Sequence, residues 1–323
     1  MKAIRFAKTG GPEVLQLQDV DLPAPGPGEV RVRHTAIGVN FIDVYHRNGL
    51  YPVDLPSGLG LEAAGVVEAL GAGVADLAIG TRVAYVAGAP GAYSQAANLA
   101  AARLIRLPDG VSDTVAAAAM LKGMTAQYLL TRTYPVRAGE TILWHAAAGG
   151  VGSIACQWAR HLGVRIIGTV GSEKKIALAK EAGCAHVLLP GDPDWPAQVR
   201  AITGGAGVPV VYDSVGKDTW NGSLDCLAVR GMMVSFGNAS GAVPDFSPRT
   251  LSVKGSLFLT RPTLAHYTRD ERELQETADA LFAVIASGAV KIPVNQTFAL
   301  ADAAKAHQAL ESRKTTGATV LIP

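Results

Sequence analysis

From residue 141 to about 260 the chain repeats one unit: a short apolar run, a polar or glycine-rich turn, then an amphipathic stretch of helical period. Thr141-Ile142-Leu143-Trp144-His145 has the composition of a strand, and 151–162 of a helix. Arg165-Ile166-Ile167-Gly168-Thr169-Val170 is the next strand and 173–182 the next helix. His186-Val187-Leu188-Leu189 and a helix over 195–202 follow. Strands over 208–213 and 232–236 then enclose a helix over 220–227. Short apolar strands alternating with helices require a parallel sheet covered on both faces, so an α/β doubly wound domain is expected over 125–260.

The turn after the first of these strands, Ala146-Ala147-Ala148-Gly149-Gly150-Val151-Gly152, opens a helix. Glycines there let backbone approach a pyrophosphate, and free N–H groups at the helix start favour its charge. Ala146 or Ala147 stands where the usual pattern has its first glycine; the strand before the turn and the helix after it give the match its weight. Dinucleotide binding by Gly149, Gly150, Val151 and Gly152 is the expectation. A site for NAD places an acid at the end of the second strand, about 20 residues on. Here Thr169-Val170-Gly171-Ser172-Glu173-Lys174-Lys175 offers room at Gly171 and Ser172 and cations at Lys174 or Lys175, which suits a 2′-phosphate and hence NADPH. Glu173 fits either a ribose ligand or a first-turn charge on the next helix.

The first 110 residues have a different texture. Strand-like runs at 1–8, 14–20, 29–37, 64–70 and 82–87 are separated by glycine- and proline-rich turns, including Pro23-Ala24-Pro25-Gly26-Pro27-Gly28, which cannot belong to a ladder. Ser112 can cap a helix over 116–134 that ends before Pro135. The last sixty residues supply helices over 272–287 and 301–311 and strands near 294–298 and the C-terminus. They are too few for a domain of their own and are expected to complete the N-terminal one.

A net charge of +2 with scattered lysines and arginines gives no support to nucleic-acid binding. No apolar run suits a membrane span and no signal-peptide core is expected, which points to the cytosol. Cys156, Cys184 and Cys226 are far apart in sequence and form neither a disulfide framework nor a metal knuckle; they suit small apolar residues in a reducing compartment.

Several longer segments carry a resemblance. They include Gly10-Gly11-Pro12-Glu13-Val14-Leu15, Gly38-Val39-Asn40-Phe41-Ile42-Asp43-Val44-Tyr45, Gly49-Leu50-Tyr51-Pro52 and Leu61-Glu62-Ala63-Ala64-Gly65. In the second half they are His145 to Gly152, Tyr212-Asp213-Ser214-Val215-Gly216, Ser235-Phe236-Gly237-Asn238 and Leu259-Thr260-Arg261-Pro262. Over essentially its whole length the chain resembles the zinc-independent, zeta-crystallin-like quinone oxidoreductases of the medium-chain dehydrogenase/reductase superfamily. The resemblance implies a discontinuous GroES-like catalytic domain (1–124 and 261–323) around a Rossmann domain (125–260), with substrate in the cleft between them. It implies cofactor contacts at Phe41, Ile42, Asp43, Tyr128, Gly150, Val151, Ser172, Lys175, Ser214, Phe236, Gly237, Asn238, Phe258, Leu259, Thr260 and Arg313. A tyrosine common after the third strand in the family is replaced by Pro190, leaving Lys175 and Arg313 as the charged partners of the phosphate. Zinc-holding relatives carry a Cys and a His where this chain has Asn40 and Leu61, and the four-cysteine lobe is missing, so no metal is expected.

Without a metal to polarise a carbonyl, a quinone or activated enone is the expected acceptor, because its own conjugation spreads the incoming charge. Asn40, Tyr45 and Tyr51 are the candidate catalytic donors. Each has a plainer alternative: Asn40 as a turn residue, the tyrosines as packing aromatics. Asp43 also suits a structural hydrogen-bond role, His145 a structural one, and Arg313 a solvated charge. Two other activities share this architecture: reduction of 2-enoyl thioesters, and NADPH binding with little turnover. A homodimer is implied, with 251–260 as the edge strand that would pair two sheets.

Overall fold

The computed structural model describes residues 1–312 and 315–323. It divides into two compact units, Met1–Met124 with Thr268–Ala286 and Ile292–Pro323, and Thr125–Tyr267 with Ser287–Lys291.

The first unit is GroES-like and built mainly of antiparallel strands. A three-stranded sheet has β1 (Lys2–Phe6) between β2 (Gln16–Asp19) and β4 (Ser57–Gly58). The larger sheet centres on β3 (Glu29–Val39), which pairs antiparallel with β5 (Glu62–Leu70) and β7 (Ala96–Ala100). Beyond β5 come β6 (Arg82–Val86) and β8 (Ile105–Arg106). Between β3 and β4 runs α1 (Phe41–Asn48), and after β8 comes α2 (Asp113–Tyr128). The Ser112 hydroxyl accepts the Val115 N–H at 3.2 Å, the expected cap. Helix α2 gives way to a π-turn over Leu129–Thr133 rather than running regularly to 134. Tyr134 closes it by donating to the Leu129 carbonyl, next to Pro135, which has no N–H to continue the ladder.

The second unit is a Rossmann domain. Its six strands are all parallel: β9 (Thr141–Trp144), β10 (Arg165–Thr169), β11 (His186–Leu188), β12 (Val208–Asp213), β13 (Leu227–Ser235) and β14 (Phe258–Thr260). Their order in space is β11-β10-β9-β12-β13-β14, so the winding reverses between β9 and β12. Helices α3 (Gly150–His161), α4 (Ile176–Glu181), α5 (Trp195–Ile202), α6 (Trp220–Cys226) and α7 (Arg249–Val253) connect the strands. Leu143, Ile167, Val211, Met233, Trp195, Val199, Trp220 and Leu224 form one buried cluster, which is why these strands read as continuous apolar runs.

The C-terminal segment returns to the first unit. After α8 (Glu271–Ala286), β15 (Val294–Ala299) pairs parallel with β16 (Ala318–Ile322), and β16 lies antiparallel to β3 with Val320 opposite Gly38. Between them, α9 (Ala303–Glu311) packs Ala303 and Ala306 into the same core as Ile4, Phe6, Val32, Ile37 and Leu59.

Two expectations need correction. Residues 261–267 and 287–291 belong to the second unit. Arg261 donates to the Ser235 hydroxyl (2.9 Å) and the Gly237 carbonyl (3.0 Å), Tyr267 stacks on Tyr128, and Gln157 exchanges two hydrogen bonds with the Lys291 backbone. Residues 251–260 are not one strand. Pro248 starts α7, Gly255 turns out of it at φ +119°, and only Phe258–Thr260 remains extended at the sheet edge. Cys156 and Cys184, distant in sequence, are buried free thiols whose sulfurs lie 3.6 Å apart.

One buried guanidinium ties the returning segment to the N-terminal part of the first unit. Arg47 on α1, 2% exposed, forks onto both Glu311 oxygens (2.9 and 2.8 Å) and donates to the Gly10 carbonyl (3.1 Å). Arg47→Met should lower unfolding free energy by about 2–4 kcal/mol, since it removes a bidentate ion pair and leaves the Glu311 carboxylate and the half-buried Gly10 carbonyl without their donor. Urea denaturation checks this; a change under about 0.5 kcal/mol would contradict it.

Candidate active site

The glycine turn lies where the winding of the parallel sheet reverses. Ala146 leaves β9 at φ +53°, a left-handed conformation that an alanine adopts only at a cost. Ala146 or Ala147 stands where the common pattern has its first glycine, and at Ala146 the backbone is strained. Gly152 is fixed by packing: a Cβ there would lie 2.3 Å from the Ala146 carbonyl oxygen. Gly149 caps α3 in extended backbone, and Gly150 and Val151 form the first turn, their N–H groups without helical acceptors.

A buried carboxylate holds this end of the sheet. Asp213, at the end of β12, accepts the Val215 and Gly216 N–H groups on one oxygen (2.8 and 3.0 Å). Its other oxygen accepts the Thr219 and Ser223 hydroxyls (2.7 and 2.9 Å). Because Ser223 spends its proton on Asp213, it accepts from His145 Nε2–H at 2.9 Å, and His145 Nδ1 then accepts the Thr169 hydroxyl at 2.8 Å. Burial lowers the basicity of this fully enclosed imidazole. The ends of β9, β10 and β12 are thus joined by one chain of hydrogen bonds directly below the turn.

The other expected cofactor residues of this unit sit along the same edge. Gly171 and Ser172 follow β10 and are exposed, and a Cβ on Gly171 would meet nothing. Lys175 ends the 3-10 turn Glu173–Lys175 that Ser172 opens, and is half-buried. Ser214 follows β12, while Phe236, Gly237 and Asn238 follow β13. A Cβ on Gly237 would lie 2.4 Å from the Ser214 carbonyl, so these two loops approach at backbone distance. Phe258, Leu259 and Thr260 are β14 itself. Tyr128 is buried, its ring stacked on Tyr267 at 4.4 Å, and burial raises its hydroxyl pKa above the ordinary value. Arg313 lies outside the described residues.

In the first unit, Asn40 and the residues after it form a helix that periodicity alone did not reveal. Asn40 caps α1 through a reciprocal capping box, its N–H donating to Asp43 Oδ2 at 2.8 Å. Phe41 and Ile42 are half-buried on the first turn. Tyr45, 8% exposed, packs edge-on against both Phe41 and Tyr51, and the Tyr51 N–H donates to the Tyr45 carbonyl. The three candidate donors therefore belong to one helix–loop segment.

Asn40 is itself held from β5. Its amide donates to Glu62 Oε1 at 2.7 Å, and Lys122 of α2 places its ammonium 3.1 Å from the same oxygen. Asp43 anchors a second buried network. The Tyr93 hydroxyl donates to Asp43 Oδ2 at 2.9 Å and contacts His307 Nε2, while Arg47 donates to His307 Nδ1. His307 therefore carries its proton on Nε2 and is kept neutral, its pKa lowered to about 3 by burial and by Arg47. Nothing in the linear sequence signals the partnership of Asp43, Tyr93 and His307. Among the described residues, no three His, Cys, Asp or Glu side chains gather as metal ligands would.

Comparison with known proteins fits this geometry. The alcohol dehydrogenase GroES-like domain family matches residues 26–134, and the zinc-binding dehydrogenase family matches residues 150–282. A quinone oxidoreductase of Pseudomonas aeruginosa is 55% identical over all of this chain and 99% of its own length. The chain belongs to the quinone oxidoreductase family of the medium-chain dehydrogenase/reductase superfamily. Its fold matches that of Escherichia coli quinone oxidoreductase complexed with NADPH at TM-score 0.98, with 50% identity and full coverage of both chains. A 2-haloacrylate reductase of Burkholderia is 47% identical over 98% of this chain and 97% of its own.

Two expectations follow. Replacing Ala146 by Gly relieves the left-handed strain and should leave unfolding free energy unchanged or raise it by up to about 1 kcal/mol; a loss above that in thermal or urea denaturation would contradict the strain. Burial raises the Asp43 carboxyl from 3.8 to about 7, despite the bonds from Asn40 and Tyr93, and its Oδ1 has no partner. Between these values the folded state holds a proton that the unfolded state has released, so stability falls as pH rises from about 4 to 7 and then levels. Melting temperatures of the protein and of Asp43→Asn should diverge across that interval, with the variant showing the flatter curve. Parallel curves would show that Asp43 does not titrate there.

Proposed function

We propose that this protein reduces quinones and related activated enones with hydride from NADPH, without a metal. The observation that carries the reading is full-length identity above one half with quinone oxidoreductases, together with the strand-end cradle of Gly149–Gly152. The cradle fits a dinucleotide: glycines occupy the positions where a Cβ would collide, and α3 presents unpaired N–H groups to a pyrophosphate. Gly149, Gly150, Val151 and Gly152 would hold the pyrophosphate; Gly171, Ser172, Lys175 and Arg313 the adenosine end with its 2′-phosphate. Ser214, Phe236, Gly237, Asn238 and Phe258–Thr260, with Tyr128, would line the remainder.

NADPH supplies a hydride equivalent when bound. This chain's part is to orient the acceptor and to stabilise the negative charge that hydride delivery leaves on its oxygen. Asn40 is the proposed amide donor to that oxygen, with the Tyr45 and Tyr51 hydroxyls as donors from the same segment. One proton, taken from solvent, completes a hydroquinone. The donor set argues for metal-free chemistry: the carboxylate nearest Asn40 is already compensated by the Lys122 ammonium. The relation to a 2-haloacrylate reductase favours extending the acceptor class to other electron-poor conjugated alkenes.

We further propose a cytosolic homodimer associating along β14, where Phe258 is 58% exposed and Val253 and Val229 are also exposed.

Loss of nicotinamide absorbance with benzoquinones, naphthoquinones, small enones and enoyl-thioesters tests the acceptor class. Quinones and enones should consume NADPH; consumption with thioesters alone would overturn the assignment. Lys175→Ala should weaken NADPH binding about tenfold or more, the worth of one charge-assisted bond, and leave NADH unaffected. Equal losses for both cofactors would remove Lys175 from the phosphate site.

A further inference from the structure

Glu62 is fully buried at the start of β5, and each of its hydrogen-bond partners is a donor. Oε1 accepts the Asn40 amide (2.7 Å) and the Lys122 ammonium (3.1 Å), and Oε2 accepts the Leu121 backbone N–H (2.5 Å). Space for this carboxylate comes from Gly38, where a Cβ would fall 2.2 Å from Glu62 Oε1 and 2.2 Å from the Ala117 carbonyl. Lys122, 7% exposed, makes the ion pair nearly dry.

Such a pair is weak as a source of stability, since desolvation cancels most of the attraction, and an apolar pair of similar volume would do as well. Its geometry does something an apolar pair cannot. A carboxylate only accepts, so the Asn40 amide must turn its NH2 toward Glu62 and its oxygen toward the start of α1. One N–H points to Glu62 and the other has no partner among the described residues.

We infer that Glu62 and Lys122 are positioning residues: the pair locks the Asn40 amide in the orientation that leaves one N–H to donate to the hydride acceptor's oxygen. This rests on the reading of Asn40 as the donor. Lys122 supplies the counter-charge without which the clamp would be an unpaired buried anion, and Gly38 gives it room.

Glu62→Gln is the sharpest probe, because it keeps shape and removes one acceptor. A glutamine oxygen cannot serve donors on both sides, so either Leu121 loses its bond or the Asn40 amide rotates. Turnover with NADPH and 1,4-benzoquinone should fall about 100-fold in Asn40→Ala, as for loss of an oxyanion donor. It should fall about tenfold in Glu62→Gln, as for a misaligned one. The dissociation constant of NADPH, read by its fluorescence, should stay within about twofold in both, so that the loss is in kcat. In an Asn40→Ala background, Glu62→Gln should cause no further loss.

Lys122→Met should behave like Glu62→Gln. If the stranded carboxylate prevents folding, the charge-neutral Glu62→Gln/Lys122→Met double variant replaces it, and Lys122→Arg should restore most turnover. Unchanged turnover in Asn40→Ala would overturn the donor reading and this inference with it. An Asn40→Ala defect that Glu62→Gln multiplies would leave the donor in place and refute the clamp, as would full turnover in Glu62→Gln alone.

Discussion

The Asp213 carboxylate is the interaction on which the second unit's chemistry depends. Parallel strands end in free backbone groups, and loops that leave them have no ladder to set their course. Asp213 fixes two loop amides and two hydroxyls at once, and through Ser223 and His145 it reaches Thr169 two strands away. Ser223 donates to Asp213 and so accepts from His145 Nε2–H, which leaves Nδ1 to accept from Thr169. A surface for binding phosphates needs backbone held still, and here the stillness comes from below, out of reach of solvent.

Much of this was legible in the chain. A parallel sheet declares itself because its strands are buried on both faces, so β9, β10, β12 and β13 stand out as apolar runs. The glycine turn was legible because close backbone approach leaves few alternatives to glycine. What escaped has physical reasons. Helix α1 is short and its Asn40–Asp43 capping box sits among residues that also suit a loop. The expected strand over 251–260 failed because β-branched and apolar residues there could equally follow a proline into the short α7. Asp43, Tyr93 and His307 are separated by 50 and 214 residues, and pairs at such distances leave no local pattern. The Cys156–Cys184 contact was hidden for the same reason.

The first unit concentrates buried charge to an unusual degree around one short helix. Asp43, Glu62, Lys122 and Arg47 are all nearly inaccessible, and they divide between two networks that meet at the first turn of α1. One network, through Glu62, addresses the Asn40 side chain; the other, through Asp43, addresses its backbone N–H. A residue held at both ends loses little further entropy when a ligand arrives, which favours stabilising charge in a transition state over merely binding a ground state.

The brevity of β14 bears on the association proposed along that edge. A long exposed edge offers many unpaired amides and carbonyls and would recruit strands of any sequence. Three residues offer few, and the neighbouring Gly255 and α7 take the chain out of register with any extended partner. Discrimination at that rim falls to side chains such as Phe258 and Val253, whose shapes can be matched by a chosen counterpart and not by generic backbone. The same interruption that shortens the strand protects the folded protein from indiscriminate sheet growth.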